Sequence, residues 1–196
     1  MPKKNSEISK DATAVILAGG RGKRVGGKDK GLLKWKKEPL IVHAYRRINP
    51  QVDRVIVSCN RNLELYKNVA DIVVQDERDS YWGPLAGIES STKLVNSSHA
   101  IVIPCDAPSL PIDLVERLID TLKTTNDSEV TYAWDGVRSQ FLFTAIKREV
   151  FSTITNCLNA GGRSLRDWHS YVKACSVDFS DKVSDFENIN HEFQLH

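Results

Sequence analysis

The feature that most constrains this chain is a series of short, wholly apolar runs that alternate with amphipathic stretches. A strand that is apolar at every position, rather than at every second one, is buried on both faces of its sheet. When such strands alternate with helices they form a parallel sheet, because each helix crosses over before the next strand begins. The sequence therefore predicts an α/β fold with three layers, Rossmann-like in class, around a mostly parallel central sheet.

Six strands and three helices follow from these patterns. The strands are predicted at 12–17, 54–58, 71–75, 100–103, 129–133 and 141–146, and the helices at 40–48, 84–95 and 111–122. The last of these helices has the clearest helical spacing of apolar residues: Leu114, Val115, Leu118, Ile119 and Leu122. With 196 residues the chain has the length of one domain. We expect a loose polar tail over 1–10, followed by a single domain over 11–196.

Composition and charge exclude several classes of protein. No apolar run approaches the roughly 18 residues that cross a bilayer, so we expect no membrane segment. The first ten residues lack the apolar core of a signal peptide. The four cysteines form no Cys-x-x-Cys pair, which favours reduced thiols in a cytoplasmic protein. The net charge of +2 is too small to predict a nucleic-acid partner.

A glycine-rich and basic segment follows the first predicted strand directly. Six glycines lie between Gly19 and Gly31, and the stretch from Arg21 to Lys37 carries eight basic residues and one acid. A backbone without side chains approaches a ligand closely and turns its N–H groups toward anionic oxygens. Lysine and arginine add charge-assisted hydrogen bonds. Because ligands of parallel sheets bind beyond the carboxyl ends of the strands, this segment predicts a polyphosphate site rather than a solvated basic loop.

Two known phosphate-binding motifs fit this segment only in part. The dinucleotide motif G-x-G-x-x-G fails because Val25 stands where the third glycine belongs. The NTPase motif G-x-x-x-x-G-K-[ST] fits from Gly22 to Lys28, but Asp29 then occupies the position of the hydroxyl that ligates Mg²⁺. A P-loop kinase is therefore disfavoured.

Polar residues follow the other predicted strands at the same edge of the sheet. Asp106 follows the fourth strand between two prolines, and its hard carboxylate oxygens suit Mg²⁺ bound to phosphates. Asn60 follows the second strand and offers both a donor and an acceptor, as base or ribose recognition requires. Asp76 follows the third strand and can accept from a base edge or a sugar hydroxyl. For each of the three, a plain turn or capping residue is the alternative.

The segment from Leu17 to Leu33 resembles the signature of nucleotidyltransferases that act on small phosphorylated acceptors. It reads Leu-Ala-Gly-Gly-x-x-x-Arg-Val-Gly-Gly-x-Asp-Lys-Gly-Leu-Leu, and its Ala-Gly-Gly and Asp-Lys-Gly variants are similar to those of molybdenum cofactor guanylyltransferases. The stretches Gly-Pro-Leu-Ala-Gly at 83–87 and Pro-Cys-Asp-Ala-Pro-Ser-Leu-Pro at 104–111 fit the same family in order and position. Segments at 177–180 and 188–190 also resemble its C-terminal pattern. This resemblance implies a fold of the nucleotidyltransferase type.

The same resemblance implies an activity and its residues. GMP would pass from GTP to the terminal phosphate of molybdopterin, or of its molybdenum form, with release of diphosphate. The residues implied to bind GTP are Leu17, Ala18, Gly19, Lys30, Asn60, Asp76 and Asp106. Arg24, Lys30 and Asp106 are the expected catalytic residues, and Asp106 is the expected ligand of Mg²⁺. Asn188 and Asn190 would lie near the pterin end of the acceptor.

The attacking phosphate would already be an anion at neutral pH, so the expected reaction needs no catalytic histidine. The resemblance also implies partner proteins that deliver the cofactor and apo-molybdoenzymes that receive it. Other interpretations stay open on the residues alone. They are a cytidylyltransferase or another nucleotidyltransferase on the same scaffold, a nucleotide-binding module without catalysis, and an RNA-binding surface along the basic segment. The RNA surface is disfavoured because only Trp35 interleaves the basic residues.

Overall fold

The structure is a computed structural model that describes residues 11–20, 22, 26–79 and 81–189. The strands in these ranges are β1 (Ala12–Leu17), β2 (Lys34–Trp35), β3 (Glu38–Pro39), β4 (Arg54–Ser58), β5 (Ile72–Val74), β6 (His99–Pro104), β7 (Val130–Trp134), β8 (Ser139–Lys147) and β9 (Ala174–Asp178). The α-helices are α1 (Leu40–Ile48), α2 (Leu63–Lys67), α3 (Pro84–Thr92), α4 (Leu114–Thr124), α5 (Phe151–Asn159) and α6 (Leu165–His169). Within the described ranges, no helix has the length and apolar character to cross a membrane.

Seven of these strands form one sheet in the order β5-β4-β1-β6-β8-β7-β9. Strands β5, β4, β1 and β6 are parallel to one another, and β9 is parallel to β7. Strand β8 runs antiparallel to both of its neighbours. Only four residues connect β7 to β8, which is enough for a hairpin but too short for the crossover that a parallel pair requires. The predicted mostly parallel sheet is confirmed.

Helices cover both faces of the sheet, so the predicted three layers are confirmed as well. On one face, Ala14 and Ile16 of β1 belong to a buried cluster that includes residues of α1 and α4. On the other face, Val15 belongs to a cluster with residues of α3, α5 and α6. Ala14, Val15 and Ile16 are all fully buried, which explains why β1 is apolar at successive positions.

The predicted elements agree with the structure to within a few residues, but several other elements were not predicted. Helix α1 has the predicted bounds, and the five apolar positions expected to face the core from α4 are all buried. Strand β9, the β2–β3 hairpin and helices α2, α5 and α6 were missed. Helix α5 is rich in Thr, Ser and Asn, which are weak helix formers, and buries only Ile154, Cys157 and Leu158. The single domain over 11–196 stays a prediction, and the tail at 1–10 lies outside the described residues.

The register of the sheet brings four strand ends level with one another. Leu17 is paired with both Ser58 and Pro104, and Ser58 is paired with Val74. Backbone hydrogen bonds continue one residue further, as in the bond of 2.7 Å from Ala18 N to the carbonyl oxygen of Ser58. The residues two positions beyond each strand end therefore meet at the same edge of the sheet. They are Gly19, Asn60, Asp76 and Asp106.

Candidate active site

A cavity of about 230 Å³ opens at this edge, beyond β1, β4 and β6. Six of the residues predicted to bind nucleotide line it: Leu17, Ala18, Gly19, Lys30, Asp76 and Asp106. Its remaining walls include the N-terminus of α3 and Leu142 of β8. The structure thus brings together residues from separate stretches of the chain.

Lys30 and Asp106 form an ion pair in the wall of this cavity. Lys30 lies in a 3₁₀ turn at the end of the glycine-rich segment, and its Nζ donates to Oδ2 of Asp106. Only 21% of the Lys30 side chain and 14% of the Asp106 side chain are exposed. The other oxygen of Asp106, Oδ1, is buried and accepts no hydrogen bond from any described residue. A carboxylate with one unsatisfied buried oxygen is suited to bind a cation that enters the cavity.

Asn60 and Asp76 form a second pair at the same edge. Asn60 Nδ2 donates to Asp76 Oδ2 at 2.8 Å, and the backbone N–H of Asp76 donates to Asn60 Oδ1 at 3.0 Å. Burial raises the pKa of Asp76, and the hydrogen bond from Asn60 offsets part of that rise. The second oxygen of Asp76 is buried and has no hydrogen-bond donor among the described residues. Asn60 therefore orients Asp76, and Asp76 presents a free acceptor beside the cavity.

Two glycines allow helix α3 to approach this site closely. Gly87 lies within the helix, where a Cβ would sit 2.5 Å from Ser58 Oγ and 3.3 Å from Asp76 Oδ1. Gly83 precedes the helix with a φ of +78°, and a Cβ there would overlap the carbonyl oxygen of Arg163. Pro84 occupies the first turn of α3, where its lack of an N–H costs nothing. Gly87 therefore lets α3 pack against Ser58 and Asp76, and Gly83 lets the start of the helix pack against Arg163.

The carboxylate of Asp29 anchors the backbone next to Lys30. Its Oδ1 accepts from the Tyr66 hydroxyl at 2.6 Å, and its Oδ2 accepts from Asn62 Nδ2 at 3.0 Å. Tyr66 is fully buried, and this burial is the main reason that its pKa lies far above the usual range. On the other side of Lys30, a Cβ on Gly31 would lie 2.5 Å from the Tyr66 hydroxyl oxygen. Sequence reasoning missed Tyr66, because no local pattern connects it to Asp29.

The C-terminal segment returns to the site. The backbone N–H of Ile189 donates to the carbonyl oxygen of Asp106 at 2.9 Å, so the predicted acceptor residue Asn188 lies next to a residue that contacts Asp106. Phe186 anchors the segment, since its ring is buried and packs against other aromatic rings of the core. The predicted residues Arg24 and Asn190 lie outside the described residues.

Comparison with known proteins decides the family. The MobA-like NTP transferase domain matches residues 14–174. This chain belongs to the MobA-like NTP transferase family. The predicted family and the predicted class of enzyme are thereby confirmed. Within the family match lie all the predicted site residues except Asn188 and Asn190.

Named relatives match nearly the whole chain. The molybdenum cofactor guanylyltransferase of Shewanella piezotolerans is 40% identical over 177 residues, which cover 90% of this chain and 86% of that protein. The protein of the same name from Shewanella sediminis is 38% identical over 183 residues, or 93% of each chain.

Solved structures of MobA-like and other nucleotidyltransferases share the fold. The molybdopterin-guanine dinucleotide biosynthesis protein A of Archaeoglobus fulgidus aligns with a TM-score of 0.75 at 16% identity, covering 93% of this chain and 94% of that one. The 4-diphosphocytidyl-2C-methyl-D-erythritolsynthase of Anaerococcus prevotii aligns with a TM-score of 0.70 at 11% identity, covering 95% of each. The predicted nucleotidyltransferase type of fold is confirmed. At such identities the likeness concerns the fold alone.

Proposed function

We propose that this chain transfers GMP from GTP to the terminal phosphate of molybdopterin, or of Mo-molybdopterin, and releases diphosphate. The observation that carries the proposal is the arrangement of the Lys30–Asp106 pair and the Asn60–Asp76 pair at one edge of the sheet. The names of the relatives at 38% to 40% identity support the same activity.

The two pairs give the two ends of the cavity different chemical character. Asp76 offers a hydrogen-bond acceptor, as a sugar hydroxyl or the N–H edge of a base requires, so the nucleoside is proposed to lie at that end. Lys30 offers a cation, and the nearby backbone at Gly19 and Gly20 carries no side chains, so the phosphates are proposed to lie there. Backbone groups from Leu17 to Gly19 are proposed to select guanine.

The residues present fit a magnesium ion. Asp106 supplies a hard oxygen, and its Oδ1 is buried without a donor among the described residues. In those same ranges, no group of three or more His, Cys, Asp or Glu side chains could hold a metal by itself. Mg²⁺ commonly takes one or two carboxylates and completes its shell with phosphate oxygens and water. When bound, the ion would neutralise charge on the triphosphate.

The proposed reaction exchanges one phosphoanhydride bond for another. An oxygen of the acceptor phosphate forms a bond to the α-phosphorus of GTP, and the bond from that phosphorus to the oxygen of the leaving diphosphate breaks. No proton has to be removed from the attacking oxygen, since the phosphate is already ionised. Lys30 is proposed to offset the negative charge that grows on the transferring group, and Asp29 holds the backbone beside it. Arg24 is proposed to assist Lys30.

The setting of the enzyme follows from the same proposal. Its partners would be GTP, the pterin acceptor, cofactor-delivery proteins and apo-molybdoenzymes, with neither nucleic acid nor membrane involved. Cytoplasmic location is supported by the four cysteines, which are all free thiols. Asn188 and Asn190 are proposed to bind the acceptor.

The deciding experiment measures diphosphate release by the full chain with GTP and Mg²⁺, with and without molybdopterin. We expect release that depends on the acceptor, a guanine dinucleotide product by mass spectrometry, and little activity with CTP. Asp106→Asn and Lys30→Ala should each lower turnover by about 10²-fold, the scale for losing one preorganised charge contact. Asp53→Asn is the matched control, since Asp53 is exposed at the opposite end of the sheet. Preference for CTP, or diphosphate release that does not depend on the acceptor, would contradict the proposal.

A further inference from the structure

Arg61 makes an unusual set of contacts for an exposed side chain. It lies in the turn between β4 and α2, next to Asn60. Its Nη1 donates to the carbonyl oxygen of Gly27 at 2.8 Å, and its Nη2 donates to the carbonyl oxygens of Gly20 and Lys28 at 3.1 and 3.4 Å. All three acceptors belong to the glycine-rich segment, which is more than thirty residues away in sequence.

The three carbonyls lie close to a backbone contact between two described residues of the segment. The backbone N–H of Gly27 donates to the carbonyl oxygen of Gly22 at 2.9 Å. Gly22 has a φ of +64°, and a Cβ at this position would overlap the carbonyl oxygen of Lys28. The guanidinium of Arg61 therefore connects Gly20, near the beginning of the segment, to Gly27 and Lys28 further along it.

Fixing these carbonyls also fixes the N–H groups of the segment. In a trans peptide the C=O and the N–H point in opposite directions. When Arg61 holds the carbonyl of Lys28, the N–H group of Asp29 in the same peptide is directed away from the guanidinium. Backbone N–H groups that are held in this way before a ligand arrives bind an anion without the entropic cost of ordering the loop.

We propose that Arg61 is a positioning residue that holds Gly20, Gly27 and Lys28 of the glycine-rich segment in the arrangement that receives the triphosphate. This inference rests on the proposed function and adds a residue that the function did not require. An arginine is suited to the task because its planar fork carries five donors, whereas a lysine has a single ammonium that cannot span three separated carbonyls. The effect is one of geometry, and the positive charge of Arg61 is secondary.

The first test compares GTP affinity in variants that separate charge from geometry. Arg61→Gln removes both, and Arg61→Lys keeps the charge but loses the fork. Arg54→Gln is the control, because it removes the same charge from an exposed position at the opposite end of strand β4. By titration calorimetry, we expect Arg61→Gln to weaken GTP binding by about tenfold or more, Arg61→Lys by at least ~3-fold, and Arg54→Gln by less than ~2-fold.

Each other outcome of this titration overturns the inference. If Arg61→Lys binds GTP as the wild type does, the charge alone accounts for the effect. If Arg61→Gln binds GTP as Arg54→Gln does, Arg61 has no effect on the nucleotide site. Since Arg61 is exposed, its variants should melt within a few degrees of the wild type without nucleotide.

The second test measures the segment directly and needs no nucleotide. Hydrogen–deuterium exchange of the nucleotide-free protein should be at least ~10-fold faster in Arg61→Gln over peptides spanning 18–29, with β1 and β6 unchanged. Unchanged exchange over 18–29 would show that Arg61 does not hold the segment. This arm also separates the inference from the proposed function. If the wild type binds no GTP, the proposed function fails, while exchange still decides whether Arg61 holds the segment.

Discussion

Because His169 is buried in its neutral form, we expect the folded protein to be less stable in mild acid than at neutral pH. It is the last residue of α6, and its ring lies 5.2 Å from Tyr132, 5.3 Å from Phe141 and 5.4 Å from Trp168, measured between centroids. Both ring nitrogens are buried and lack a hydrogen-bond partner among the described residues. Burial lowers the pKa of His169 from 6.5 to about 4.

The sign of the effect follows from which state binds the proton. Between pH 6.5 and about pH 4, the unfolded chain carries a protonated His169 and the folded chain carries a neutral one. The unfolded state therefore binds more protons, and the free energy of unfolding falls as the pH is lowered through this window. The full loss is about 3 kcal/mol, of which about 2 kcal/mol is reached at pH 5.

The assay is urea unfolding at pH 7 and pH 5, for the wild type, His169→Phe and His99→Gln. A phenylalanine keeps an aromatic ring in the cluster but cannot bind a proton, so His169→Phe should lose about 2 kcal/mol less than the wild type between the two pH values. His99→Gln is the control and should lose as much as the wild type. The contribution of Asp76, whose pKa is raised, cancels in this comparison because every variant retains it. An equal loss in wild type and His169→Phe would refute the reasoning.

Three further predictions concern packing around the site and in the core. Gly87→Ala should weaken GTP binding about tenfold in a titration, because its Cβ would sit 2.5 Å from Ser58 Oγ. Adding Ser58→Ala should restore part of the lost affinity, and no restoration would contradict the steric reason. Tyr66→Phe removes the donor to Asp29, so the free energy of unfolding in urea should fall by about 1–2 kcal/mol and turnover should fall as well. If neither value changes, Tyr66 does not anchor Asp29. Ile154→Ala should cost about 2–5 kcal/mol in urea, because Ile154 is fully buried.

The meeting of the site residues was predictable because it depends on topology. Parallel strands end at one edge of their sheet, so a polar residue placed after each apolar run has to arrive near the others. The register adds that Gly19, Asn60, Asp76 and Asp106 stand at the same distance beyond their strands. That equality depends on the pairing of strands, which is not written in any single stretch of sequence.

The contacts that support these residues were not predictable. Tyr66 and Arg61 each bind a segment more than thirty residues away, and neither belongs to a local pattern. The pairing of Asn60 with Asp76 likewise links two turns that the sequence presents separately. The missed helix α5 has a different cause, since tertiary burial of a few apolar residues outweighs its weak helical propensity.

The central claim is that a triphosphate binds between the glycine-rich segment and Asp106. The most direct measurement is a crystal structure of the full chain with Mg²⁺ and a non-hydrolysable GTP analogue. We expect phosphate oxygens beside Lys30, a metal ion on Asp106, and the nucleoside beside Asp76. A nucleotide bound elsewhere, with this cavity empty and Asp106 still paired only with Lys30, would contradict it.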